Sequence, residues 1–192
     1  MLEEEYQPRR QLPPHLRPAP PPETPFEYTM RPANRADLPN VREIYNHYVL
    51  NSTVTFDEDT MSLAALRKKF DKVVALGLPF IVAENPAGQI LGYAYVYPWK
   101  EKAAYRYTVE NSIYLGPAST GKGLGRVLLG ELIDRSKKAG IKEIIAVIAD
   151  KGADASIAIH RDFGFKEIGH MGKVGFKFDR WLGTVLMQKS LK

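Results

Sequence analysis

The sequence predicts one α/β or α+β domain built on a mixed sheet. Segments of strand-like alternation and of helical apolar spacing follow each other in the order β-α-α-β-β-β-α-β-α-β-β. Of the 192 residues, 44% are hydrophobic and 26% are charged, which is ordinary for a globular protein that buries a core. Eight of the fourteen prolines lie within residues 1–25, where they prevent regular helix or sheet. We therefore expect a Pro-rich, disordered tail over residues 1–26 and a folded domain over residues 27–192.

Composition excludes several classes of protein. The chain has no cysteine, so disulfides, thiolate metal sites and a cysteine nucleophile are excluded. No apolar run is long enough to cross a bilayer, and the acidic, Pro-rich start does not match a signal or transit peptide, so we expect a cytoplasmic protein without a membrane partner. The net charge of +5 comes from lysines and arginines that are scattered and not interleaved with aromatic residues. This pattern favours a phosphate-rich cofactor over nucleic acid, although charge alone does not decide.

The first half of the domain is predicted to contain a strand, two helices and a hairpin. The segments are a strand over 26–31, helices over 36–50 and 62–76, and strands over 79–83 and 89–97. Asp37 is expected to act as N-cap or first-turn acid of the first helix. The apolar face of the second helix is predicted to consist of Leu63, Leu66, Phe70 and Val74.

The second half is predicted to alternate strands and helices. The segments are a strand over 105–115, a helix over 123–138, a strand over 141–148, a helix over 154–163, and strands over 165–170 and 184–189. The helix over 123–138 carries apolar residues at helical spacing, namely Leu124, Val127, Leu128 and Leu132. Strand-to-helix passages occur at 115–124 and 148–155. Anions bind at such helix N-termini, where free amides and the helix dipole face one point.

The loop over residues 116–126 carries the strongest chemical signal. Gly121, Gly123 and Gly125 alternate at a strand-to-helix junction, so that backbone amides can surround a phosphate without obstruction by a Cβ atom. Lys122 and Arg126 add positive charge. The structural alternative is a mobile loop that precedes a glycine-rich helix start.

Two common phosphate motifs do not fit this loop. The Walker pattern G-x-x-x-x-G-K-[ST] begins at Gly116, but Gly123 stands where a hydroxyl would hold Mg²⁺. The dinucleotide pattern G-x-G-x-x-G fails because Arg126 takes the place of its third glycine. No His, Asp or Glu spacing indicates a metal site. A pyrophosphate site without a metal remains, and coenzyme A fits that description.

The loop and four further segments resemble a known family. The segment from Thr120 to Gly125 is similar to the R/Q-x-x-G-x-G/A loop of the GNAT superfamily of N-acetyltransferases, with Thr120 at the position of the usual Arg or Gln. Four further segments resemble the phosphinothricin and methionine sulfoximine acetyltransferase branch of this superfamily, namely 43–49, 107–114, 145–148 and 174–182. The likeness covers about residues 29–188. It implies the GNAT fold, a mostly antiparallel central sheet flanked by helices, with splayed strands at the acetyl-CoA site.

The resemblance also implies a reaction and its cofactor residues. The expected reaction transfers acetyl from acetyl-CoA directly, in a ternary complex, to the amino group of a small amino-acid-like substrate. Residues of the strand before the loop would pair with the pantetheine arm, and one such amide would polarise the thioester carbonyl. The expected cofactor-binding residues are Ile113, Tyr114, Leu115, Gly121, Lys122, Gly123, Leu124, Gly125, Arg126 and Ser156. The strand residues are equally consistent with a purely structural role, and Ala153 replaces an Asn of the branch pattern.

Two residues take catalytic positions by this resemblance. Glu110 occupies the place of the proposed general base, and its alternative role is to hold the substrate ammonium. A Glu with an ordinary pKa near ~4.3 would need burial or a relay to act well as a base. His160 occupies a place where many superfamily members carry a Tyr that protonates the leaving thiolate. A structural role for this histidine is the alternative.

Substrate and dimer contacts are implied in the same way. The expected substrate-binding residues are Lys100, Lys102, Tyr107 and Ser112. Phe56, Tyr107 and Phe176 are candidates for the pocket wall or for the core. Lys177, Arg180 and Trp181 are candidates for a homodimer interface, which is common in the branch. The alternative functions are acetylation of a peptide or protein amine, a non-catalytic module that binds coenzyme A and, least consistent with Gly123, a metal-dependent nucleotide hydrolase.

Overall fold

The structure of the protein is a computed structural model that describes residues 26–192. The predicted disordered tail lies outside the described residues, apart from residue 26. The strands are β1 (Thr29–Pro32), β2 (Phe80–Glu84), β3 (Ile90–Pro98), β4 (Thr108–Leu115), β5 (Glu143–Ala149), β6 (Lys166–Lys177) and β7 (Arg180–Ser190). The helices are α1 (Leu38–Asn51), α2 (Leu63–Ala75), α3 (Leu124–Lys138) and α4 (Asp154–Asp162). None of the helices in the described part is long and apolar enough to span a membrane.

The seven strands form one open sheet in the order β1-β2-β3-β4-β5-β7-β6. Neighbouring strands are antiparallel except for β4 and β5, which run parallel and are connected through α3. A parallel pair requires a crossover of this kind, whereas antiparallel pairs can be joined by short turns. The predicted mixed, mostly antiparallel sheet with flanking helices is confirmed.

The parallel pair of β4 and β5 is short. Pairing runs only from Thr108 opposite Glu143 to Glu110 opposite Ile145. Beyond this point β4 stays paired with β3 as far as Leu115, and β5 stays paired with β7 as far as Ala149. The two strands therefore separate and leave a wedge-shaped opening within the sheet. This opening corresponds to the splayed strands that the family resemblance implies.

Each face of the sheet has its own hydrophobic core. On one face, α3 packs its leucines onto the sheet, and Leu124, Leu128, Leu129 and Leu132 are fully buried. On the other face, α1 and α2 cover an aromatic layer that includes Phe80, Tyr93 and Tyr95. The rings of Phe80 and Tyr95 stack with centroids 5.0 Å apart. The two cores together fix the side of the sheet to which each strand residue points.

The apolar faces of two helices differ from the prediction. On α2, Val73 is fully buried and the predicted Val74 is 54% exposed. Since each residue advances a helix by about 100°, Val73 lies about 20° from the buried Leu66 around the helix axis, whereas Val74 lies about 80° away from it. On α3, the predicted core residue Val127 is exposed for the same reason. Sequence spacing alone allowed either valine on α2.

The end of the chain folds as one long hairpin, where two short strands were predicted. The strands β6 and β7 extend to a tight turn at Phe178 and Asp179, whose φ angles are 51° and 56°. Two positive φ angles in succession are typical of the hairpin turns that match strand twist. The prediction missed this extension because β6 is exposed on both faces over most of its length and lacks alternation. Similarly, β4 begins at Thr108 because a short 3₁₀ turn occupies the predicted start of that strand.

Gly183 on β7 tests how tightly this hairpin packs. A Cβ atom at this position would lie 2.5 Å from the carbonyl oxygen of Met171 and would also collide with the Asp150 carboxylate. We expect Gly183→Ala to lower the free energy of unfolding by about 1–3 kcal/mol, because backbone atoms must shift to accept the methyl group. Gly169→Ala on β6 is the matched control, since its Cβ would meet no atom within 4 Å. Urea unfolding of both variants measures the difference, and equal stabilities would contradict this packing.

Candidate functional site

The opening between β4 and β5 is the floor of a cavity of about 730 Å³. Its walls come from the ends of both strands, the start of α3, one side of α4 and the loop that follows α1. Phe56 on that loop lines the cavity and packs against Gly175 of β6. The parting of the strands therefore creates a site that is reached by elements from both halves of the chain.

Backbone groups of β4 face the cavity at alternate residues. The Thr108 carbonyl accepts a hydrogen bond from Trp99, just after β3, and the Gly116 amide donates one to Leu91 of β3. Even-numbered positions of β4 therefore direct their backbone groups to β3. The backbone groups of odd-numbered positions point the other way, to the edge of β4 that no longer pairs with β5. The amides of Ile113 and Leu115 therefore face the cavity, as the resemblance implies. The amide of Tyr114 is directed to β3, although the residue belongs to the cavity lining.

The glycine loop lies at the rim of the cavity. Gly121 and Gly123 have φ angles of 73° and 79°, a conformation that favours glycine. Gly123 is also the N-cap of α3, which lasts 15 residues, so the free amides of this helix start lie beside the cavity. Gly125 and Arg126 complete this part of the lining. The Arg126 guanidinium pairs with Asp162 of α4 and remains half exposed.

Two predicted cofactor residues of the loop do not line the cavity. Leu124 is fully buried in the core beneath α3. The Lys122 ammonium lies 4.6 Å from the ring centroid of Phe26. On α4, Ser156 lines the cavity as expected, and Ala153 is the helix N-cap without a side-chain hydrogen bond. Ala153 therefore cannot supply the side-chain contact that the Asn of the branch pattern would make.

Glu110 lies where β4 and β5 begin to separate, and it lines the cavity. Burial raises the pKa of its carboxyl group, and the ammonium groups of Lys100 and Lys69 act in the opposite direction. A raised pKa brings a carboxylate closer to the range in which it can exchange a proton at neutral pH. The position of Glu110 is therefore chemically suited to proton transfer, and also to holding an ammonium group.

Lys69 is a residue near Glu110 that sequence reasoning missed. Its Nζ lies 3.4 Å from the Tyr95 hydroxyl, and Tyr95 is the partner of Ser112 in the pairing of β3 with β4. Ser112 lines the cavity. No local pattern distinguished Lys69 from the other lysines of α2, because its position depends on how that helix packs across the sheet.

The remaining predicted substrate residues lie outside the cavity lining. The Lys100 ammonium lies 4.6 Å from the ring centroid of Trp99, and its charge acts to lower the pKa of Glu110. Lys102 is exposed, and Tyr107 is half exposed beneath the Arg106 guanidinium. Of the four predicted substrate residues, Ser112 alone contributes to the wall of the cavity.

His160 on α4 is almost fully buried, with 3% of its surface exposed. Its Nδ1 lies 2.7 Å from the carbonyl oxygen of Ser156, and its Nε2 lies 2.8 Å from the side-chain nitrogen of Asn111. Burial lowers the pKa of the imidazole. Asn111 was also missed from the sequence, although it directly follows Glu110. Strand alternation places these two neighbours on opposite faces of the sheet.

The structure corrects one predicted dimer contact and separates two aromatic candidates. Lys177 is only 3% exposed, and its ammonium donates hydrogen bonds to the carbonyls of Ser52 and Thr55, each at 2.9 Å. This side chain holds the loop after α1 within its own chain, so it does not present a surface to a partner. Phe176 is exposed and lies outside the cavity lining, whereas Phe56 lines it. Within residues 26–192, no group of three or more His, Asp or Glu side chains is placed to hold a metal ion.

The raised pKa of Glu110 predicts how the site affects stability. The folded protein holds this proton at higher pH than the unfolded chain does, so the group costs stability as the pH rises above its ordinary range. We expect Glu110→Gln to be more stable than the wild type near neutral pH, and this advantage to disappear below about pH 4. Urea unfolding from below about pH 4 to neutral pH measures this difference in stability, with a Gln substitution of the exposed Glu101 as control. An advantage that grows towards acid pH would show the opposite shift.

Comparison with known proteins agrees with this geometry. The acetyltransferase (GNAT) domain family matches residues 30–186. Over 163 residues, the chain is 41% identical to a phosphinothricin N-acetyltransferase of Alcaligenes faecalis, covering 85% of this chain and 82% of the relative. It is also 41% identical to an L-methionine sulfoximine/L-methionine sulfone acetyltransferase of Pseudomonas aeruginosa, covering 85% and 94%. The crystal structure of a phosphinothricin acetyltransferase from Sinorhizobium meliloti in complex with acetyl-CoA superposes with a TM-score of 0.81 at 43% identity, covering 85% and 88%. The chain belongs to the GNAT acetyltransferase family.

Proposed function

We propose that this enzyme transfers acetyl from acetyl-CoA to the α-amino group of a small amino-acid-like compound, of the phosphinothricin or methionine sulfoximine type. The observation that carries the proposal is the half-buried Glu110 at the inner end of the wedge, whose pKa burial raises while the charges of Lys100 and Lys69 act to lower it. The activities of the relatives with 41% identity support the same substrate class.

The cavity suits the long, phosphate-bearing acetyl-CoA molecule. Free amides of Ile113 and Leu115 line the side of β4 and can pair with an extended arm that bears amide groups. The open glycine loop at the start of α3 offers amides to a pyrophosphate, and Arg126 adds positive charge there. The fully buried Leu124 acts in this scheme by anchoring the loop and not by contacting the cofactor.

The chemistry requires an amine that has lost its proton. Bound acetyl-CoA supplies a thioester whose carbonyl carbon forms a bond to the amine nitrogen while its bond to sulfur breaks. Glu110 holds the incoming ammonium group and takes the proton that nitrogen releases, directly or through one water molecule. Backbone amides that face the cavity stabilise negative charge on the carbonyl oxygen. Direct transfer within a ternary complex is the simpler path, because the chain has no cysteine that could carry the acetyl group.

The acceptor side of the site carries a carboxylate, that of Glu110, and an ammonium group, that of Lys69. Glu110, Ser112 and the partner residues Tyr95 and Tyr97 lie on the face that α2 covers, and Lys69 reaches this face from the helix. A free amino acid offers both an ammonium and a carboxylate within a few ångströms. Glu110 matches the first group and Lys69 matches the second, which favours a free amino acid over an internal peptide segment.

We further propose that the enzyme is a homodimer that acts in the cytoplasm without a metal and detoxifies amino-acid analogues. Phe176 and Trp181 form an exposed aromatic pair on the terminal hairpin, with centroids 5.4 Å apart, and Phe178 is exposed at its turn. Exposed apolar patches of this kind mark association sites. Arg180 lies beside them and is also exposed. Sedimentation as a monomer at micromolar concentration would contradict the dimer, and loss of turnover with EDTA would contradict a metal-free reaction.

The proposed reaction predicts release of coenzyme A thiol with a defined acceptor. We expect acetyl-CoA to be consumed with phosphinothricin, methionine sulfoximine or related free amino acids, and more slowly with peptides. Glu110→Gln should lower kcat by about 10²- to 10⁴-fold, as expected for loss of a general base. A thiol-release assay over both acceptor classes measures this, with Glu101→Gln as control. Turnover of peptides alone would contradict the proposal and identify a peptide or protein acetyltransferase. Binding of acetyl-CoA without turnover of any amine would also contradict it.

The charged acceptor site predicts a role for Lys69. We expect Lys69→Met to raise KM for the amino acid by about 10-fold or more and to leave KM for acetyl-CoA unchanged, because it removes one charge-assisted contact. Lys68→Met is the matched control, since Lys68 is the preceding residue of α2 and is exposed. Steady-state kinetics with both substrates varied separate these effects. Equal changes in the two variants would show that Lys69 acts only through general charge.

A further inference from the structure

The contacts of His160 determine which ring nitrogen carries a proton. Nδ1 lies 2.7 Å from the carbonyl oxygen of Ser156, and a carbonyl oxygen can only accept, so Nδ1 is the donor. The packing around the ring is apolar, with the Phe165 ring edge-on at 4.8 Å between centroids. Burial favours the neutral imidazole. In this state Nε2 has a lone pair and no proton to give.

This tautomer orients the side chain of Asn111. Because Nε2 is an acceptor, the group 2.8 Å away must be the amide N–H of Asn111. The amide oxygen of Asn111 then lies on the opposite side of the carboxamide. Asn111 is 8% exposed and its oxygen Oδ1 is buried, without a hydrogen-bond partner among the described residues. An unsatisfied buried acceptor costs more than a typical hydrogen bond contributes, and Asn111 belongs to the cavity lining, so a donor from a bound ligand that reaches Oδ1 would recover that cost.

The face of the sheet indicates which ligand supplies that donor. Asn111 shares a face with Val109 and Ile113, and these residues pack with α3 and α4. The glycine loop leads into α3 on this same face. Glu110 and the lysines of the acceptor side lie on the opposite face. The cavity lining follows β4 from Leu115 to Glu110, and Asn111 is one residue from the inner end.

We propose that Asn111 binds the cofactor, with its Oδ1 accepting a hydrogen bond from the pantetheine amide N–H nearest the thioester, and that His160 is a positioning residue that holds Asn111 in this orientation. This inference rests on the proposed function for the identity of the ligand. It assigns the buried histidine a role different from protonation of the leaving thiolate. The thiolate then takes its proton from solvent or from the acid formed at Glu110.

The tautomer can be tested without any reaction. Nitrogen-15 NMR distinguishes the two neutral imidazole forms and the imidazolium, and the chain has only four histidines to assign. We expect His160 to be neutral and protonated at Nδ1 near neutral pH, because the Ser156 carbonyl accepts from Nδ1 and burial lowers the pKa of the ring. His47→Gln serves as the assignment control outside the cavity lining. A proton at Nε2 near neutral pH would overturn the proposal.

Binding calorimetry tests the ligand contact. The two probes are acetyl-CoA and an analogue in which an ester oxygen replaces the amide N–H nearest the thioester. We expect the wild type to bind the analogue about tenfold more weakly, and Asn111→Leu to bind both compounds equally. His160→Phe, which keeps an aromatic ring against Phe165, should also lose most of the discrimination. A wild type that binds both probes equally, or an Asn111→Leu variant that still discriminates, would refute the contact.

Kinetics separate positioning from acid catalysis. We expect His160→Phe to raise KM for acetyl-CoA by about tenfold and to change kcat by only a few-fold. Loss of a general acid would instead lower kcat by about 10²-fold or more with saturating substrates, and that result would refute positioning. The NMR and calorimetry on the wild type do not depend on turnover. If no amine is acetylated, the proposed function fails while these two measurements still decide the roles of His160 and Asn111.

Discussion

The parting of β4 from β5 is the constraint on which the rest of this protein depends. The two strands pair only as far as Glu110 and Ile145, yet each continues beside its other neighbour. Unpaired backbone groups inside a protein are costly, and a ligand that pairs with them recovers that cost. The wedge is kept open because β3 and β7 hold the two strands from outside. The site is therefore a consequence of pairing elsewhere in the sheet and needs no local distortion of the strands.

Packing on the two faces makes the wedge rigid. The buried leucines of α3 fix the start of that helix, and with it the glycine loop, over the end of β4. On the other side, Lys177 ties the loop after α1 to the terminal hairpin through two backbone carbonyls. That loop brings Phe56 to the cavity. A long hairpin with an exposed aromatic surface is thus mechanically connected to the wall of the site, which links the proposed dimer surface to the cavity.

Local physics made much of this protein predictable from its sequence. Apolar spacing and glycine positions located all four helices, the glycine loop and all seven strands, of which the last two were predicted too short. What failed depended on tertiary packing: the choice of Val73 over Val74 on α2, and the hairpin extension that lacks a buried face. Lys69 and Asn111 were missed for a related reason, because each is identified only by a contact that is distant in sequence. Lys69 contacts the hydroxyl of Tyr95, and Asn111 contacts the imidazole of His160. A residue's type and spacing do not identify such partners.

The register of β4 connects these observations. Even-numbered side chains of this strand face the acceptor side with Glu110 and Ser112, whereas the odd-numbered Asn111 and Ile113 face the cofactor side. A shift of one residue would exchange the two sets, because side chains alternate with a period of two. The stacked rings of Tyr93 and Tyr114, 5.5 Å apart across β3 and β4, oppose such a shift. The aromatic layer under α1 and α2 therefore keeps the carboxylate and the carboxamide on opposite sides of one strand, and in the proposed reaction the amine and the thioester meet at the edge of that strand.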